Sequence, residues 1–480
     1  MLLYNYMVKI NLDKSKLSIY KKTRKEVLSL IKPSTKQLLV EKKFVDSILK
    51  KIEKIRGNHL LAIIAGSFGK GTNLKDSKDF DIFVLYPPHF PKEEFVNEGL
   101  ETAQKVFKGH FWEKAYSQHP YIRGVIDGYK VEVVPAYKIE PGDEIISAVD
   151  RTALHLLFVD KNITTYQKDE VRLLKYFLKQ INCYGADSSI SGFSGYLCEL
   201  LILYYGDFIN LLSHVSSWTS PVKFTLLKEQ HVNLSRFNDS LVVIDPVDNN
   251  RNVASVVSDR QLSIFIAASR VFLENPNTDL FFKKINKQMT YHQLVGRLET
   301  FSIITIEFDV KDMLKEIVWS KVKRNTKKLL AHLEFCDFDV LKYDIYHKEG
   351  QDKCYLILML DTLELPKLKK VIGPLVSDFK NSQNYLDNTR AVFGPYVKDN
   401  RWYAVRQRDR RDAKSIIYDY VIKNFDLGIK LYVGDEIKEL YLSRENLIDF
   451  FSDFFLSKEK FLIWISFNFF NFNFKNILKI

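Results

Sequence analysis

The chain has 480 residues, 46% of them hydrophobic, enough to bury the cores of two to four domains. Its formal charge of +12 and pI of about 9.1 favour a polyanionic partner, nucleic acid or a membrane surface; a generally basic surface is the plain alternative. Cys183, Cys198, Cys336 and Cys354 show no zinc-ligand spacing and read as buried thiols in a reducing compartment.

The opening "MLLYNYMVKINLDKSK" is charged too early for a signal peptide. No apolar run reaches the ~20 residues of a membrane helix, so the chain reads as cytoplasmic, with no membrane partner. Residues 12–56 carry Lys, Glu and Leu at helical spacing, broken by "KPST" at 32–35. This pattern predicts two amphipathic helices, the second capped by Ser34 or Thr35. Residues 59–87 read as strand, turn, strand. "KVEVVPAY", 130–137, alternates like a third strand stopped by Pro135. From 145 to 215 and again over 258–274 the periodicity is helical. After 289, short strands in "FSIITIEFD", "FDVLKYDIYH" and "KCYLILMLD" alternate with helices over 309–332 and 411–424. The final stretch, 461–480, is a low-complexity Phe/Asn/Ile tail to which no role is assigned.

The chemistry begins in "GSFGKGTNLKDSKDFDIFVLYP", 66–87. Side chains alternate along a strand, so Asp79 and Asp81 share one face while Phe80, Ile82 and Val84 enter a core. Two adjacent carboxylates repel unless a cation neutralises them, and oxygen ligands at this spacing suit Mg²⁺; a solvated strand end is the bland reading. Upstream, Gly66-Ser67 lets backbone and hydroxyl approach a phosphate, and Lys70 follows as a cation. Glu132 is the one acid embedded in the next apolar strand, which demands a pair, a metal or an open face. Asp127 competes for the same role, although "IDGYK" reads as a turn.

Strand, Gly-Ser turn and acidic pair form the pattern of the polymerase-β-like nucleotidyltransferase superfamily. Together with "VEVVPAY", "SAVDRTALH", "RLLKYFLKQINCYGAD", "GFSGYLCELLILYYGDF", "IDPVDNNRNVASVVS" and "FGPYVKDNRWYAVRQRDRRDA", it resembles the archaeal (class I) CCA-adding tRNA nucleotidyltransferases. The match runs in order over roughly 30–460.

The resemblance implies an α+β fold of three parts: a polymerase-β-like catalytic domain over 1–150, a helical nucleotide-binding domain over 151–288 and a C-terminal α+β tRNA-binding region over 289–460. It implies attack by the tRNA 3′-hydroxyl on the α-phosphate of CTP or ATP, release of pyrophosphate, Mg²⁺ as cofactor and a homodimer. Its metal carboxylates fall on Asp79, Asp81 and Glu132, the last a Glu where the family typically has Asp. Its phosphate contacts fall on Ser67 and Lys70, the latter Lys where the family usually has Arg. Further nucleotide contacts fall on His155, Lys175, Tyr184 and, in second rank, Ser194; Arg251 falls on the arginine that reads the base edges.

Each has a plain alternative: a core histidine, a solvated lysine, a packing tyrosine, an N-cap serine, a loop arginine. The basic run Arg401, Arg406, Arg408, Arg410, Arg411 and Lys414, interleaved with Trp402 and Tyr403, reads as an RNA surface, with the lysines of 320–330 adding to it. Rival readings are an RNA-binding protein with a degenerate site, or another nucleotidyltransferase such as a poly(A) polymerase.

Overall fold

Apolar residues at every third or fourth position build the first two helices, α1 (Lys14–Ile31) and α2 (Thr35–Arg56). Lys32-Pro33 separates them, and Ser34 Oγ accepts the Gln37 N–H as the cap of α2. The structure is a computed structural model describing residues 13–56, 60–116, 120–140, 142–147, 149–227, 233–282, 288–348 and 350–456. The opening segment read as non-signal lies partly, and the 461–480 tail wholly, outside these residues. The chain divides into two compact units, one up to Lys284 and one over Ile285–Lys458.

In the first unit, α2 leads into β1 (Leu61–Ile64), the single turn α3 (Gly66–Gly69), β2 (Asp79–Tyr86), α4 (Lys92–Val106), β3 (Trp112–Tyr116), β4 (Pro120–Ile126) and β5 (Tyr129–Tyr137). The Gly-Ser segment read as a turn is thus one turn of helix. The five strands form one mixed sheet in the order β1-β2-β5-β4-β3, in which β2 and β5 are parallel. Ile82, Val84 and Tyr86 of β2 and Val131 and Val133 of β5 pack beneath α2 and α4. Phe83, Leu85, Val134 and Ala136 line the opposite face.

Pro135 does not stop β5. Pairing with β4 ends at Ile122 opposite Val133, so the missing N–H falls beyond that ladder, while β2 stays in register through Tyr86 opposite Tyr137.

Helices α5 (Arg151–Asn162), α6 (Thr165–Gln180), α7 (Gly195–Tyr205) and α8 (Phe208–Val215) follow. Gly206, at φ 91°, breaks the run between α7 and α8. Strands β6 (Val222–Thr225), β7 (Leu241–Asp245) and β8 (Asp248–Asn252) make a small sheet, and α9 (Asp259–Glu274) and α10 (Asp279–Phe282) close the unit. Among the described residues no single helix is long and apolar enough to cross a membrane; the bent α7–α8 pair is core.

The second unit holds α11 (Tyr291–Thr300), β9 (Ser302–Asp309), α12 (Lys315–Phe335), β10 (Val340–His347), β11 (Lys353–Leu360), β12 (Leu368–Leu375), α13 (Phe379–Asn388), β13 (Phe393–Lys398), β14 (Arg401–Gln407), α14 (Ala413–Phe425), β15 (Ile429–Val433), α15 (Asp435–Ser443) and α16 (Glu445–Leu456). Its main sheet runs β10-β11-β9-β15. The near-continuous apolar run of β11 is explained by helices on both faces. A smaller sheet runs β12-β14-β13.

In the first unit's helical core, Phe177 is fully buried and meets the rings of Phe208, Phe265, Phe272 and Phe281 at centroid distances of 5.5–6.5 Å. Phe177→Ala should lower stability by about 3–5 kcal/mol, read as a shifted urea midpoint.

Candidate active site

Asp79 and Asp81 occupy the face of β2 shared with Phe83 and Leu85. Glu132 of β5 stands directly opposite Asp81 in the parallel register, on the same face. Two strands thereby bring three carboxylates together. Asp127 does not join them: it is exposed in the β4–β5 turn, at φ 51° beside Gly128 at φ 81°. Burial and the neighbouring Asp79 carboxylate raise Asp81, against a pull from Lys70. Burial, then Asp81, raise Glu132 to about 7, with Arg123 opposing.

None of the three carboxylates accepts a hydrogen bond among the described residues. Lys70 and Arg123 offset this charge only in part, and the remainder fits a divalent cation. Three His, Cys, Asp or Glu side chains do not enclose a metal by themselves among the described residues. A hard cation at these acids would need further oxygen donors to complete its shell.

Gly66 fixes where Asp81 can sit. Its φ is +59°, and a Cβ there would lie 1.8 Å from Asp81 Oδ2. Only glycine permits this approach. The Ala65 N–H donates to the Asp81 carbonyl at 2.8 Å, tying the start of α3 to β2. Ser67 is half-buried beside them.

Lys70 and Lys175 are not solvated. Both are buried, and both turn inward to Glu199 of α7, whose side chain is 1% exposed. Lys70 Nζ lies 2.8 Å from Glu199 Oε2, and Lys175 Nζ 3.1 Å from Oε1. Thr72 Oγ1 donates to Glu199 Oε1 at 2.7 Å and accepts from Lys175 Nζ at 2.9 Å. Burial alone would raise the Glu199 carboxyl, but the two ammonium groups and these donors hold it down to about 2. Arg172 of α6 donates to the Asn73 and Gly71 carbonyls, clamping the loop that carries Lys70.

A second buried acid, Asp245 at the end of β7, gathers the remaining nucleotide candidates. It meets His155 Nε2 at 2.9 Å, the Tyr196 hydroxyl at 3.1 Å and an Arg251 guanidinium nitrogen at 2.7 Å. His155 stacks on Tyr196 at 3.8 Å between ring centroids, and Lys70 Nζ sits 4.7 Å from the centroid of the Tyr196 ring. Burial lowers His155, against the pull of Asp245. Arg251 keeps 36% of its side chain exposed.

Tyr184 approaches Gly195: a Cβ there would lie 3.1 Å from the Tyr184 hydroxyl and 3.5 Å from Lys175 Nζ. Burial, with smaller contributions that include Asp79 and Asp81, raises the Tyr184 phenol. Ser194 spends its Oγ as the N-cap of α7, accepting from Leu197 N–H at 3.1 Å. The sequence reading did not single out Glu199, Asp245, Thr72 or Tyr196. Glu199 alone carried a signal, an acid inside the apolar run "CELLILYY".

The basic run lies in the second unit, and much of it is engaged internally. Arg408 donates to the Pro366 and Leu368 carbonyls and pairs with Asp337 at 3.2 Å. Arg411 donates to the Leu365 carbonyl and pairs with Glu364, and Arg406 donates to Thr389 Oγ1. Arg401, Arg410 and Lys414 are exposed but also engaged: Arg401 donates to the Gly373 carbonyl at 3.2 Å, Arg410 pairs with Asp419 at 2.8 Å and Lys414 with Glu436 at 3.1 Å. Among the cysteines, Cys183, Cys198 and Cys354 are buried, while Cys336 is only half-buried.

Models of three families match: the nucleotidyltransferase domain over 21–155, the tRNA nucleotidyltransferase second domain over 169–282 and the CCA-adding enzyme C-terminal domain over 299–442. The chain is 35% identical to the CCA-adding enzyme of Methanocaldococcus jannaschii, over 85% of this chain and 93% of that protein. It is 34% identical to the CCA-adding enzyme of Methanococcus maripaludis, over 86% and 94%. Identity to that of Saccharolobus islandicus is 33%, over 85% and 94%.

Glu199→Gln should leave two buried ammonium groups short of a counter-charge, at a cost of about 3–5 kcal/mol at neutral pH. Because the carboxyl titrates below its ordinary 4.5, its contribution is present above that pH and lost as pH falls toward about 2. The stability gap between wild type and variant, followed by denaturant titration, should therefore narrow on acidification through that window.

Proposed function

The chain belongs to the CCA-adding enzyme family of tRNA nucleotidyltransferases, and from that premise we propose how its own residues build and repair the 3′-terminal CCA of tRNA from CTP and ATP. The observation that carries the reading is the in-register placement of Glu132 beside Asp81, with Asp79 on the same face. These acids would hold divalent metal, Mg²⁺ in our reading, with Glu132 reaching further than the shorter acid usual there. When bound, the metal supplies charge stabilisation to the attacking and leaving oxygens.

The chain's contribution is positioning and electrostatics. Ser67 offers its hydroxyl to the triphosphate. Lys70 and Lys175, two ammonium groups against the single Glu199 carboxylate, leave a positive wall beside the acids. Tyr184 supplies a phenol that stays protonated and can donate. Ser194 fixes the start of α7, and His155 orients Tyr196 and Asp245. Asp245 holds one edge of the Arg251 fork, leaving its exposed part for the base edge.

In the reaction the 3′-hydroxyl oxygen bonds to the α-phosphorus. The bond from that phosphorus to the α,β-bridging oxygen breaks, and its electron pair leaves on pyrophosphate; the hydroxyl proton passes to solvent. Arg401, Arg410 and Lys414, the exposed members, would exchange their surface partners for tRNA phosphates, while Arg406, Arg408 and Arg411 shape the surface that bears them. The catalytic part would end near residue 150, the helical part near 288 and the tRNA-binding part near 460, acting as a homodimer in the cytoplasm.

The test is incubation with tRNA lacking its 3′ CCA, labelled CTP or ATP, and Mg²⁺. Asp81→Ala should lower single-turnover addition by at least ~10³, with an unchanged circular dichroism spectrum. Near-normal addition would remove Asp81 from the metal site.

Arg251→Ala should relax discrimination among CTP, ATP, GTP and UTP by ~1–3 kcal/mol. Filter-binding titrations should show tRNA affinity and its salt dependence preserved. Loss of tRNA affinity with nucleotide choice intact would instead place this arginine on the RNA surface.

A further inference from the structure

Helix α6 presents a second lysine one turn beyond Lys175. Lys179 follows at i+4, so the two lie on the same face. Their circumstances differ. Lys175 is buried and committed to Glu199 and Thr72. Lys179 keeps solvent access, and among the described residues no hydrogen bond or ion pair engages its amine. Its Nζ sits 5.4 Å from the centroid of the Tyr184 ring.

The plain reading of such a residue is a solvated lysine on an amphipathic face. Its surroundings argue otherwise. Crowding pushes the amine below the ordinary lysine range, Asp79 draws it back up and Lys175 opposes. The place of Lys179 over the Tyr184 ring sets its amine beside a residue that also approaches Gly195 at the start of α7. Lys70 and Lys175 are already occupied by Glu199, whereas among the described residues Lys179 has no hydrogen-bond or ion-pair partner.

We propose that Lys179 is a further triphosphate-binding residue of this site, gripping the β- and γ-phosphates that depart together as pyrophosphate. The inference rests on the nucleotide-binding reading above and extends it to a residue outside that set. A compact, hydrated ammonium group on a flexible stem suits a mobile leaving group, to which it can remain bonded as the α,β bridge breaks. A tRNA phosphate is the competing occupant. Tyr184 favours the triphosphate, because its ring meets Lys179 while its hydroxyl and Lys175 Nζ both lie close to Gly195.

The test uses the full chain and three measurements on Lys179→Gln and Lys179→Arg. These are calorimetric titration with CTP and Mg²⁺ in the absence of tRNA, inhibition by added pyrophosphate, and filter binding of tRNA lacking CCA. Lys179→Gln should weaken both CTP and pyrophosphate by about tenfold to a hundredfold, the range for losing one charge-assisted contact. Lys179→Arg should recover most of that loss, while tRNA affinity and the unfolding midpoint stay at wild-type values. Unchanged CTP and pyrophosphate affinity in Lys179→Gln, beside a wild type that binds both, overturns the assignment and leaves the functional reading intact. Lost tRNA affinity with CTP affinity preserved also overturns it, in favour of an RNA phosphate contact. A wild type that binds neither CTP nor pyrophosphate overturns the functional reading itself.

Discussion

One carboxylate without solvent contact organises the catalytic half of this protein. Glu199 sits on an apolar helix, and removing its charge from water is costly unless cations and donors replace the lost hydration. Lys70, Lys175 and Thr72 do so, and they come from two segments far apart in the chain. The loop after α3 is consequently pinned to α6 and α7. This charge ties the sheet carrying the acids to the helices carrying the nucleotide candidates, with Arg172 adding backbone hydrogen bonds and Ala153 and Leu154 of α5 packing into the sheet's cores.

Tyr196 joins this cluster to the second one. One ring meets Lys70, stacks on His155 and donates its hydroxyl to Asp245. The groups expected to meet the nucleotide are thus supported by a continuous buried scaffold rather than by loops. The acids are treated in the opposite way. Asp79, Asp81 and Glu132 accept no hydrogen bond among the described residues, and Lys70 and Arg123 offset the charge on Asp81 and Glu132 only in part. Pre-organised positive groups beside an acidic face that is only partly offset suit phosphoryl transfer, where positioning and charge neutralisation dominate.

What could be read from the sequence follows from how local each signal is. Strand alternation has a period of two whatever surrounds it, so the shared face of Asp79 and Asp81 was legible, and Glu132 followed from its valine neighbours. The helices of 151–215 were legible from their 3.6-residue period, and the Gly206 break only from structure. Pro135 misled, because its effect depends on where the neighbouring strand stops pairing. The partners of Lys70 and Lys175 were invisible, since Glu199 reaches them only through tertiary packing. Density of charge also proved a poor guide to exposure: Arg408, read as surface, is 14% exposed and occupied by backbone carbonyls.

The parallel pairing of β2 with β5 has an evolutionary reading. Two strands joined by a hairpin take their register from a short turn, but these are joined through α4, β3 and β4, so the turn geometry of any one connection does not set it. That intervening region can gain or lose residues in its loops while the three acids stay aligned. A single-residue deletion inside either strand would instead rotate Glu132 or the Asp pair into the apolar layer under α2 and α4. Length variation among descendants of this gene should therefore collect between residues 87 and 128 and avoid the strands themselves, making the spacing inside each motif a more durable signature than the distance between them.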